Sequence, residues 1–170
     1  MGLFDWFNST KRPEAGVAPA SAANVRQTLL GLNRETAPWQ IRDGAEEGVD
    51  LIAEWKIVDA RWYELFAKAS LTEVFQIHLK FDEAAREVRA LDKRYSVSWR
   101  AGLPHLEFSA STFRGQTKSF SWGTAYAFKE DGQFGEVYNY RFATGEIKKP
   151  IQEAVTVAGW TYKGVSFGKL

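Results

Sequence analysis

From Leu71 to Phe142 large apolar side chains recur at every second residue, a period that favours β-strands over helices. Leu71, Phe75, Ile77, Leu79 and Phe81 fall on one side of an extended chain, interrupted only by Glu73. Leu91, Tyr95, Val97 and Trp99 make a second run, and Leu106, Phe108 and Ala110 a third. The fourth is SFSWGTAYAF, residues 119–128, and Tyr138, Tyr140 and Phe142 make a fifth. Short turn-forming words, FDEAARE, AGLP, FRGQ and KEDGQFG, separate them, so consecutive strands are expected to pair antiparallel in a meander.

The aromatics of SFSWGTAYAF need a place. Burying one large apolar side chain contributes roughly 1.5–3 kcal/mol, so Phe120, Trp122, Tyr126 and Phe128 together represent roughly 6–12 kcal/mol. That rivals the net stability of a whole domain, about 5–15 kcal/mol, and assigns them to the core. The opposite face of the same strand, Ser119, Ser121, Gly123, Ala125 and Ala127, is unusual because solvent faces more often carry Lys, Glu, Arg and Thr. Small side chains admit close approach, so this face is expected to pack against a helix or to line a concave ligand surface.

Before residue 71 the signals are mixed. Leu3, Phe4, Trp6 and Phe7, followed by Lys11 and Arg12, resemble a very short interfacial anchor, too short to span a bilayer. Residues 13–24, PEAGVAPASAAN, read as a flexible linker. The expected organisation is therefore a tail and linker over 1–24 and one domain over 25–170. Asn24 is the expected cap of a short helix reaching Leu32, with Val25, Leu29 and Leu32 on one side. WQIRDG and VDLIAEWKIV around DGAEEG predict a hairpin, and DARWYELFAKAS, residues 59–70, a short amphipathic helix with Trp62, Leu65, Phe66 and Ala69 on its apolar side. Near the end, Ile147, Ile151, Ala154, Val155 and Ala158 form a helical stripe closed by Gly159, and Trp160, Tyr162, Val165 and Phe167 suggest a last strand.

Composition removes several functions. Lys plus Arg number 22 against 21 for Asp plus Glu, so no general field gathers polyanions and nucleic acid is not an expected partner. With no cysteine there are no disulfides, thiolate nucleophiles or Cys-ligated metals. His78 and His105 have no partner at metal-ligand spacing, so no metal and no cofactor are expected, and His78 reads as solvated or simply hydrogen-bonded. His105, Glu107, Ser109 and Ser111 alternate along one strand, and Ser119 and Ser121 fall on the strand expected next in the meander. This is a Ser-His-Glu assembly in name only, because no G-x-S-x-G elbow occurs.

The words WQIRDG, VDLIAEWKIVDARWYE, EVRALD, SWRAG and AGWTYKGV, spread over residues 39–165, resemble a group of bacterial, chiefly actinobacterial, conserved-hypothetical proteins. The resemblance implies a bacterial cytosolic setting and brings no activity and no site residue. The fold expected is α+β: a curved, mainly antiparallel sheet of about seven or eight strands with two or three short helices, one near the C-terminus. The function expected is a non-enzymatic interaction or adaptor module, cytoplasmic or peripheral at the inner membrane face. Its Leu3, Phe4, Trp6 and Phe7 would contact a membrane surface or protein partner. The competing expectation is a carrier of a small hydrophobic ligand held between curved sheet and helix.

Overall fold

The structure is a computed structural model that describes residues 10–35, 37–56, 73–100, 103–108, 114–115, 126–127, 139–140, 144–165 and 170. The anchor residues Leu3, Phe4, Trp6 and Phe7, the helix expected over 59–70, and Ser119, Ser121, Gly123 and Ala125 lie outside the described residues.

The fold is α+β with a mainly antiparallel sheet. Strands β1 (Trp39–Asp43) and β2 (Leu51–Trp55) form the expected hairpin around a 3-10 turn, Ala45–Glu47. Asp43 Oδ1 starts that turn by accepting from the Ala45 N–H at 2.8 Å. Gly48, at φ +76°, ends it in the left-handed region that glycine enters without strain. Strand β3 (Glu73–Asp82) follows β2 and pairs along its whole length with β4 (Glu87–Arg100). The other edge of β4 is shared by three strands: β9 (Thr161–Gly164), parallel, at Glu87–Ala90; β6 (Arg114–Gly115) at Asp92–Lys93; and β5 (Leu103–Phe108) at Tyr95–Arg100. Two residues of the SFSWGTAYAF stretch, Tyr126–Ala127, are β7, paired with β8 (Asn139–Tyr140) in a separate ladder.

Register decides which residues meet. The β3–β4 turn pairs Leu79 with Ala90, Ile77 with Asp92 and His78 with Leu91. Trp39 and Ile41 of β1, Leu51, Ala53 and Trp55 of β2, Phe75, Ile77 and Leu79 of β3, and Val88 and Ala90 of β4 therefore share one buried face. The stripe Leu91 and Tyr95 belongs to the opposite face, beside Ile52, Val74 and His78.

Two helices complete the core. Helix α1 (Ala22–Leu30) buries Val25 and Leu29; Ser21, not Asn24, is its cap, accepting from the Asn24 N–H at 3.2 Å. Helix α2 (Thr144–Val157) buries Ile147, Ile151 and Val155 and carries Pro150 within its length. It ends as expected at Gly159: the Gly159 N–H donates to Thr156 O and the Trp160 N–H to Val155 O, a Schellman closure with Gly159 at φ +76°. Beyond α1, Asn33 bonds both backbone groups of Ile41, at 2.6 and 2.7 Å, and so occupies the hydrogen-bonding edge that β1 would otherwise present.

Candidate functional site

The N-terminal segment is fastened to the domain before the tail begins. Lys11 forms an antiparallel bridge with Tyr162 of β9, each backbone N–H donating to the other's carbonyl at 2.8 Å, and Thr10 is buried. Nine residues later the Ala20 N–H donates to Ala158 O at 2.8 Å, and the buried Trp160 indole donates from Nε1 to Ala20 O at 2.8 Å. Between these points the chain passes so close to Gly159 that a Cβ there would lie 2.7 Å from Ala18 O. The stretch expected as a linker, 13–24, thus runs between backbone attachments and into α1.

Against this root lies an open groove of about 370 Å³, lined by Lys11, Arg12, Lys149, Gln152, Glu153 and Thr156. The four α2 residues follow helical spacing, and they stand opposite the buried stripe Ile147, Ile151 and Val155. Their orientation is fixed by a buried ion pair one residue earlier. Lys148 Nζ lies 2.6 Å from Asp92 Oδ2, with side-chain exposures of 6% and 0%. Tyr162 is buried nearby and its hydroxyl has no hydrogen-bond partner among the described residues. Burial, reinforced by the Asp92 charge, pushes its pKa well above the ordinary tyrosine value.

A second polar constellation crosses the opposite sheet face. His78 Nε2 lies 3.1 Å from Gln76 Oε1; Gln76 Nε2 donates to Glu54 Oε2 at 2.7 Å; Gln40 and Arg42 donate to Glu54 Oε1 at 3.2 and 2.8 Å; and Arg42 donates on to Glu47 at 2.9 Å. The amide orientation makes Nε2 the protonated ring nitrogen and leaves Nδ1 as an acceptor without a partner among the described residues. The solvated reading of His78 is corrected: Ile52 and Leu91 flank it on neighbouring strands and it is buried. That desolvation, with the nearby Lys93 charge, lowers its pKa to about 4, so the imidazole is neutral. The Glu47 hydrogen bond raises the Arg42 pKa and, reciprocally, lowers that of Glu47. The carboxylates of the cluster are engaged by arginine and amides.

His105 and Glu107 lie in β5, paired with Ser98 and Ser96 of β4, whereas Ser109 and Ser111 lie outside the described residues. Ala127 is placed in β7 opposite Asn139. Among the described residues no group of three or more His, Asp or Glu side chains is arranged to hold a metal ion, and no helix is long and apolar enough to cross a membrane. Sequence reading missed Thr10, Lys149, Asp92 and Lys148; only Gly159 and Trp160, at the end of the helical stripe, marked the corner where they converge. Comparison with family models, curated proteins and solved structures finds no match to this chain.

Proposed function

We propose that the chain is a non-enzymatic interaction module that presents its aromatic N-terminal residues, Leu3, Phe4, Trp6 and Phe7, to a membrane surface or a larger protein assembly. The observation that carries this reading is the reciprocal backbone bridge between Lys11 and Tyr162, which fixes the root of the segment on the domain. A docking segment held at its root transmits position to the domain, and it loses less orientational freedom on binding than one on a free linker. The cations of the adjacent groove support a target that is negatively charged. A bacterial cytosolic setting, with the chain peripheral at the inner membrane face, fits the same reading.

The test is fractionation of cells expressing the intact chain beside a Phe4→Ala/Trp6→Ala/Phe7→Ala variant. The intact chain is expected with membranes or in a large assembly and the variant in the unbound fraction; identical distributions would refute the reading.

A second reading is a carrier of a small hydrophobic molecule held in a cavity between sheet and helix. In that reading the sheet is curved, of about seven or eight strands, and a helix closes it over the ligand. Native mass spectrometry is expected to show an adduct; a mass equal to the bare chain in every preparation would dispose of it.

A further inference from the structure

We infer that the groove beside the N-terminal root binds the phosphate-bearing head group of an anionic phospholipid, an inference that rests on the tether reading above and selects a membrane as its target. Three cations converge there. Lys11 and Arg12 come from the segment, and Lys149 from the outer face of α2. The whole chain has a formal net charge of only +1, so this concentration of positive charge is local. Among the described residues Glu153 is the groove's single carboxylate, and Gln152 adds an amide donor.

The cations are held in place by buried structure. Lys11 is fixed by its two backbone bonds to Tyr162. Lys149 follows the Lys148–Asp92 pair, which, with buried Ile147, Ile151 and Val155, sets the rotation of α2. Residue 10 continues backwards along the chain into Leu3, Phe4, Trp6 and Phe7, so an apolar segment directly precedes in sequence the two cations that line the groove from this side. Stable peripheral binding takes two such signals, because an apolar anchor alone is marginal and charge alone is readily screened. A phosphodiester at an acidic bilayer surface satisfies both, its charge meeting Lys11, Arg12 and Lys149 while the acyl boundary receives the aromatic side chains.

The experiment is co-sedimentation of the intact chain with vesicles of phosphatidylcholine alone and of phosphatidylcholine mixed with phosphatidylglycerol. Full-length Arg12→Ala, Lys149→Ala, Glu153→Gln and Trp6→Ala/Phe7→Ala variants, each checked for an unchanged melting temperature, are run beside it. The intact chain is expected to prefer the acidic vesicles. Each removed cation should weaken that binding about fivefold, and Glu153→Gln should tighten it. Equal binding to both vesicles, or acidic-vesicle binding by the cation variants at the strength of the intact chain, would overturn the groove assignment. If Trp6→Ala/Phe7→Ala alone lost binding in that case, the tether reading would still stand. Competition by inorganic phosphate at low concentration would make the groove a free-phosphate site and overturn the lipid assignment. Failure of the intact chain to bind either vesicle would remove the membrane target altogether.

Discussion

Replacing Lys148 by Met keeps the length and apolar stem of the side chain but leaves the Asp92 carboxylate in the core without the cation that sits 2.6 Å from it. Asp92 is fully buried between strands, opposite Ile77, and water has no access to restore its solvation. Breaking a buried pair from one side costs about 3–5 kcal/mol. For a domain of this size that corresponds to a fall in melting temperature of roughly 6–20 °C, a large part of a stability of about 5–15 kcal/mol. Removing both charges is a different perturbation: Asp92→Leu/Lys148→Met also removes the cost of burying two ions, and such replacements range from neutral to a gain of about 1–4 kcal/mol. The assay is urea unfolding of the intact chain, the two single variants and the double variant, followed by far-ultraviolet circular dichroism and analysed as a double-mutant cycle. A strongly positive coupling, with the double variant more stable than Lys148→Met, is the expected outcome. Additive costs, or a Lys148→Met penalty below about 1 kcal/mol, would refute the idea that this pair fixes α2 on the sheet.

Three further outcomes follow from the geometry. His78 is neutral when folded, with a pKa of about 4, but binds a proton in the unfolded chain below about pH 6.5. Its contribution to stability is therefore present above pH 6.5 and is lost as pH falls toward 4, about 2 kcal/mol between pH 7 and pH 5. The loss should be smaller by that amount in His78→Gln, and an imidazole titration midpoint near 6.5 by nuclear magnetic resonance would contradict it. Gly159→Ala places a Cβ 2.7 Å from Ala18 O at a positive φ, so it should cost at least about 1–2 kcal/mol and speed proteolysis within residues 12–20. Unchanged melting and unchanged cleavage would count against the docked segment. Asn33→Ala removes both side-chain bonds to Ile41 and should cost about 1–3 kcal/mol while raising concentration-dependent aggregation through the uncovered edge of β1, measured by light scattering. A variant as stable and as monodisperse as the parent would exclude that edge role.

The parts of the fold that were legible in the sequence are those specified locally. The first hairpin follows from alternation on either side of a Gly-bounded turn, and the C-terminal helix from a stripe at helical spacing closed by Gly159. What escaped the sequence is set by long-range register or by the backbone. Asp92 and Lys148 each look like surface charges; only the four-residue turn between Asp82 and Glu87, which puts Asp92 opposite Ile77, brings Asp92 to the core face. His78 sits among Gln76 and Lys80, a polar alternation that says nothing of Ile52 and Leu91 on the strands beside it. The attachment of residues 11 and 20 uses N–H and carbonyl groups that every residue possesses, so PEAGVAPASAAN reads as a linker. The small-residue face of SFSWGTAYAF, by contrast, stays a sequence-level expectation beyond the placement of Ala127 in β7.

Amide hydrogen exchange on the intact chain, with and without acidic phospholipid vesicles, tests the central claim most directly. A segment rooted on the domain and used for docking predicts slow exchange at the Lys11 and Tyr162 amides in both conditions, with new protection over residues 2–9 on adding vesicles. Exchange at Lys11 as fast as in a free peptide would contradict the rooted segment, and no change over residues 2–9 when vesicles are added would contradict the membrane as its target.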